Sequence, residues 1–186
     1  MEGSDNVVSA TRTSIRVPHN LLKVLKDEAD KKNVSLNAII TKILDKYILC
    51  DLRMNTIPSI TMSQALFFLI LEKLNFSQKE EVTRKAIQTV KDMFTVLGVE
   101  YNLQNVLDEY FSMLGKHCGW FTFHYDKDEN HFRLVFETEL GPEWLKFLQF
   151  YVRAILQSLK INIDNESTTN SVMIFEITNV MQSDAM

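Results

Sequence analysis

Residues 11–44 read TRTSIRVPHNLLKVLKDEADKKNVSLNAIITKIL, and this stretch decides the fold expected for the N-terminal part of the chain. From Thr11 to Val17 the side chains alternate. Thr13, Ile15 and Val17 fall on one side and Arg12, Ser14 and Arg16 on the other, the period of a short strand with one wet face. Pro18 ends that strand and suits the first turn of a helix. Leu21, Leu22, Leu25 and Ala29 then recur at helical spacing as far as Lys32. Asn33 tolerates the left-handed conformation that closes a helix, and Ser35 is placed to cap the next one. Leu36, Ile39, Ile40, Ile43, Leu44, Tyr47 and Ile48 mark that second, strongly amphipathic helix.

A strand, a proline, a helix, a short break with a serine cap and a second helix: the arrangement resembles the ribbon-helix-helix family of Arc/MetJ type, over roughly residues 11–49. Two departures are visible. Asn33 stands where the family often has glycine, and Thr13 is a weak core residue. A lone strand has no ladder partner and two short helices close no core, so such a sequence favours a homodimer, and dimers could pair into tetramers. The resemblance implies paired strands forming a ribbon that enters the major groove of double-stranded DNA. By that resemblance Arg12, Ser14 and Arg16 read base edges. The start of the second helix (Val34, Ser35, Leu36 and Asn37) contacts phosphate through unpaired N–H groups, with Lys31 and Lys32 adding charge.

The remainder reads as a different kind of domain. Residues 51–60 (DLRMNTIPSI) look like a linker between a first domain at 1–50 and a second at 61–186. Thr61 or Ser63 caps a helix to about Leu74 that is apolar nearly all round, and so is expected to be buried. Ser77 with Glu80 or Glu81 opens another, ended by Gly98. A further helix runs from Asn102 to about Lys116, and Gly119 breaks it. The period then changes. Phe121, Phe123 and Tyr125, and then Phe132, Leu134 and Phe136, alternate around the polar turn DKDEN, which predicts a β-hairpin with one aromatic face. Gly141-Pro142 leads into a long helix with Trp144, Leu145, Leu148, Val152, Ile155, Leu156 and Leu159 on one stripe. Residues 161–164 and 172–177 are two short strands around the turn NESTTNS. The fold class expected is α+β: a ribbon-helix-helix, then helices with a small antiparallel sheet.

Composition narrows the function. With 186 residues the chain holds one mid-sized domain or two small ones. Residues 1–50 carry a net charge of +2 and the rest −6, so nucleic acid would be met by the first part. Two cysteines, Cys50 and Cys118, make no disulfide scaffold and point to a cytoplasmic setting. No signal peptide or membrane span is seen. Phosphate loops, nucleophile elbows and metal-protease or CxxC motifs are absent, so neither an enzyme nor a cofactor is expected. No metal site is assigned. His117, Cys118, His124 and His131 are its weak candidates, because hairpin register puts His124 and His131 on one face. Phe67, Phe68, Phe94, Phe111, Phe147, Phe150 and Tyr151 could line a pocket for a small apolar effector, although aromatics at helical spacing are more often plain core or a dimer interface. The expectation is a dimeric, sequence-specific DNA-binding transcriptional regulator of repressor type with a C-terminal oligomerisation or sensor domain. The alternatives are a protein-interaction module that uses the N-terminal fold only to dimerise, and an antitoxin-type autoregulator.

Overall fold

A computed structural model describes residues 13–55 and 61–179. The chain divides into two compact units, Met1–Asp45 and Lys46–Met186.

Among the described residues of the first unit the first element is a helix. Residues 13–18 form no strand, and α1 spans His19–Lys31 directly after Pro18. The expected ribbon strand is therefore corrected: alternation of side chains does not hold a strand without a ladder partner, and the described residues supply none to this segment. Ser14 and Arg16 are exposed there, while Arg12 lies outside the described residues. The helix ends as its sequence requires. Asn33 takes φ 51°, and the Val34 N–H donates to the Ala29 carbonyl at 3.0 Å. The Ser35 hydroxyl accepts from the Ala38 N–H at 3.1 Å and opens α2, Leu36–Lys46. Ala29 and Ile39 are buried, but Leu21, Val24, Ile43 and Leu44 are each half exposed or more, because two helices alone cannot cover an apolar stripe.

The second unit opens with a π-helical turn, Tyr47–Asp51, and a single helical turn, α3, at Leu52–Met54, so part of the stretch read as linker is helical. Residues 56–60 lie outside the described residues. The helices α4 (Gln64–Lys73) and α5 (Phe76–Val96) follow. The short α6 (Leu103–Asn105), a π-helical turn at Val106–Phe111 and α7 (Ser112–Cys118) come next. The period-2 segments become β1 (Thr122–Asp128) and β2 (His131–Glu137). Then come α8 (Pro142–Ser158), β3 (Asn162–Thr168) and β4 (Val172–Thr178). The sheet is antiparallel throughout in the order β1-β2-β4-β3. Its inner face carries Phe132, Leu134 and Phe136 beside Met173, Phe175 and Ile177, all buried. The helical layer covers that face, so the α+β expectation holds for this unit.

Three local expectations change. The cap of α5 is Asn75, not Ser77. Asn75 and Gln78 exchange side-chain-to-backbone hydrogen bonds of 2.9 Å in both directions, which satisfies two end donors at once. The helix α4 is not buried all round. Only Leu71 is fully covered, while Leu66, Leu69 and Ile70 are 50%, 52% and 42% exposed. Finally, most of the polar run NESTTNS is strand. β3 is an edge strand with a single neighbour, so polar side chains can point to water there, and a register shift lies between Ile163 and Asn165. Glu166 turns back to α8, where Arg153 donates to it from Nη2 at 2.8 Å and from Nε at 3.2 Å. Among the described residues no helix is long and apolar enough to cross a membrane.

Candidate functional site

Helix α8 repeats aromatic residues at positions 144, 147 and 151, spacings that place them on one face. The rings stack in sequence. Trp144 and Phe147 have centroids 5.5 Å apart at 27°, and Phe147 and Tyr151 are 6.0 Å apart at 19°. Trp120, just before β1, meets Trp144 edge-on at 5.1 Å and Tyr151 at 5.8 Å. From α4, Phe67 meets Trp144 and Phe147 edge-on at 5.4 and 6.3 Å. The five rings make a wall between α8 and its α4 cover. Indole and hydroxyl groups at its margin are matched. The Trp120 carbonyl accepts from Trp144 Nε1 at 2.9 Å and from the Thr138 hydroxyl at 3.2 Å.

The floor of the wall is different. The hydroxyls of Tyr110 and Tyr151 are 2.5 Å apart, and both residues are buried, at 7% and 3% exposure. Burial in an apolar interior drives both phenols well above their ordinary pKa, with the neighbouring phenol a further influence on Tyr110. Two hydroxyls bring two protons. Whichever donates to the other, the second proton has no acceptor among the described residues. The contrast with Tyr101 is direct. Tyr101 bonds Ser158 Oγ at 2.7 Å, and Ser158 donates onward to the Ile155 carbonyl at 2.8 Å, so that series ends on an acceptor.

Beside this floor lies a pair of thiols. Cys50 Sγ and Cys118 Sγ are 3.7 Å apart; Cys50 is buried and Cys118 half-buried. Burial first, and the adjacent Cys50 second, push the Cys118 thiol up to about 12. Cys118 is also within electrostatic reach of Tyr110.

The histidine candidates are not brought together. In the register of the hairpin His124 opposes Val135 and His131 opposes Asp128. The two imidazoles do share the outer face, but they sit four positions apart along it, and both are exposed. His131 Nδ1 lies 3.0 Å from the Thr178 hydroxyl, which donates to Asp164 Oδ2 at 2.5 Å, in an open groove of about 430 Å³. His117 is half-buried at the end of α7 with its Nε2 shielded from solvent. No group of three or more His, Cys, Asp or Glu that could hold a metal ion occurs among the described residues. In the first unit Lys31, Lys32, Val34 and Asn37 are exposed and Leu36 half-buried. Lys32 pairs with Glu28. Of the aromatic set, Phe67, Phe147 and Tyr151 join the wall and Phe68 flanks it at 6.4 Å from Trp144. Phe94 and Phe111 belong to the general core, and Phe150 pairs with Phe76 at the edge. Tyr110, Trp120 and Cys50 were not signalled as site residues. Their one sequence cue is that each is a polar-tipped or reactive residue next to a large apolar one.

No protein-family model and no curated protein matches the chain. Among solved structures it is similar to a Cs H-NOX mutant carrying 4-cyano-L-phenylalanine at site 5. That match has 14% identity and a TM-score of 0.46, over 76% of this chain and 94% of that one. It is also similar to an H-NOX protein from S. oneidensis in the Fe(II)NO ligation state, at 10% identity and a TM-score of 0.28, over 92% and 83%. Residues 13–18 offer no ribbon to lay in a major groove. The Arc/MetJ-type resemblance is therefore corrected, and with it the repressor acting on double-stranded DNA. The homodimer built on paired strands falls as well, and so do the interaction-module and antitoxin alternatives, since each borrowed that same N-terminal fold.

Proposed function

We propose that this chain is a cytoplasmic, non-enzymatic sensor whose second unit takes a flat, largely apolar molecule bearing one hydrogen-bond acceptor. The ligand lies against the aromatic wall of α8, and the Tyr110–Tyr151 pair supplies the polar anchor. The observation that carries this reading is the surplus phenol proton. A buried donor without an acceptor costs roughly 1–3 kcal/mol, and an acceptor on a ligand removes that cost. The helix α4 suits a cover that can swing away, because Leu71 is its one fully buried side chain.

Both tryptophans of the chain stand in the wall, so their fluorescence reports on the site directly. The test is a quenching titration with 1,4-naphthoquinone, naphthalene and hemin, the last a flat macrocycle that also brings iron. The expected result is saturable quenching by the quinone or by hemin, weakened about tenfold or more in Tyr151→Phe, with naphthalene indifferent to that change. Absence of saturable quenching by all three, or quenching that ignores the substitution, would overturn the reading.

A further inference from the structure

We propose that Cys50 and Cys118 are a reversible dithiol–disulfide couple, closed by a hydroperoxide, that staples the helical segment 47–54 to the end of α7. The inference is independent of the ligand reading above, since it concerns the sulfur atoms alone.

Geometry comes first. The sulfurs are already in contact at 3.7 Å, so closing to a disulfide bond length of about 2.0 Å needs a movement of about 1.7 Å, within the reach of side-chain rotation. The two residues are 68 positions apart in sequence, so the contact is a product of the fold rather than of local spacing. The same segment is also tied by the partly exposed ion pair of Arg53 with Glu109, in the turn at residues 106–111 that precedes α7. A covalent bond here would change how firmly the segment is held.

Access separates the roles. Cys50 is 4% exposed and embedded in the core, whereas Cys118 is only half-buried. A hydroperoxide therefore meets Cys118 first. The Cys118 thiolate attacks the peroxide oxygen, the O–O bond breaks, and the alcohol or water leaves with the thiol proton; sulfur is oxidised to the sulfenic acid and the peroxide is reduced. Cys50 sulfur then attacks Cys118 sulfur, the S–O bond breaks, and a second water leaves with the Cys50 proton. Two thiols and one hydroperoxide give one disulfide, one alcohol or water, and one water.

The surroundings set the rate. The groups facing Cys118 are Cys50 and Asp51, which disfavour its anion, Lys46, which favours it, and the neutral phenol of Tyr110. Burial and Cys50 dominate, so the thiolate is scarce near neutrality. The pair stays reduced through brief exposure, answers sustained peroxide, and closes faster as the pH rises.

The test uses the full reduced chain and hydrogen peroxide. Samples are quenched with N-ethylmaleimide and read by intact mass and peptide mapping. The expected product is monomeric, lacks two hydrogens, takes no maleimide when unfolded, and yields one cross-linked peptide pair holding residues 50 and 118. Its Tm should rise on the order of 10 °C, because the bond closes a long loop, and dithiothreitol should reverse it. Cys50→Ser should stop at a dimedone-trappable sulfenic acid on Cys118. Cys118→Ser should leave Cys50 a thiol over the same time. Unreacted thiols, disulfides between chains, or sulfinic and sulfonic acids in place of the internal bond would each overturn the proposal.

Discussion

Two residues show how single positions are constrained. Gly115 lies inside α7 where the chain passes close to the start of the hairpin. A Cβ there would meet the Phe121 carbonyl oxygen at 2.9 Å and the Phe121 ring at 3.4 Å. Alanine is the better helix former by about 1 kcal/mol, but a backbone oxygen cannot move aside as a side-chain tip can. Gly115→Ala should therefore destabilise the protein, by about 1–3 kcal/mol in a denaturant melt. The buried phenols make a pH prediction. Their folded pKa values are raised above that of an unfolded tyrosine, so the unfolded chain loses those protons first as pH climbs. Stability from this source is complete below about pH 10 and falls above it. In an alkaline titration followed by tyrosinate absorbance, the signals of Tyr110 and Tyr151 should appear only with unfolding. A smooth titration of all tyrosines in the folded chain would contradict their burial. At this scale the sequence is a poor guide. It shows Cys50 and Cys118 as two isolated thiols, and nothing in their spacing tells that the fold closes 68 residues to a 3.7 Å contact.

Elements were more legible than single contacts, because periodicity is written locally. The hairpin, the long α8 and the stops at Asn33 and Gly98 are all present where apolar spacing and left-handed residues place them. The failures have identifiable causes. Ser77 looked like the cap of α5 because acidic residues follow it at a suitable distance. Asn75 won because Gln78 can return its hydrogen bond. Asn75→Ala should therefore cost about 1 kcal/mol, measurable as a shift in the urea midpoint with an unchanged slope. Ser77→Ala should leave the midpoint where it is. The strand read in residues 11–17 failed for a different reason. A helix carries its hydrogen bonds within itself, but a strand does not, so alternation alone cannot say whether a ladder partner exists. The same limit explains the histidines: sharing a face is readable from parity, but four positions of separation along it is a matter of register.

The second unit coheres as a whole because the helical layer and the sheet meet through aromatic rings. Phe111 is fully buried and touches Phe121, Phe123 and Phe136 with centroids 6.3, 5.5 and 5.3 Å away. It is the ring that fastens the turn at residues 106–111 to the inner face of the sheet. Phe111→Ala should cost about 3–5 kcal/mol and should reduce the cooperativity with which the helical and sheet signals disappear on heating. Phe76, by contrast, is 61% exposed and rests on Phe150 at the rim, so truncating it should cost well under half as much. The sequence stated that aromatic residues were plentiful. It could not divide them among wall, core and rim, since that division depends on which faces the topology turns inward.

The polar edge of the sheet has a consequence for how the protein behaves in crowded solution. An outermost strand offers a row of unpaired backbone groups to any passing chain, and a flat apolar edge would recruit copies into fibres. β3 answers with Asn162, Asn165 and Ser167 on its exposed side and with a break in register near its start. Asn165→Val together with Ser167→Val would keep every contact of the folded monomer's core and still remove that protection. The double variant should scatter light and bind thioflavin on standing at concentrations where the parent chain stays clear. The residues that look least informative in the sequence, a run of Asn, Glu, Ser and Thr, would then be the ones that keep the protein in solution.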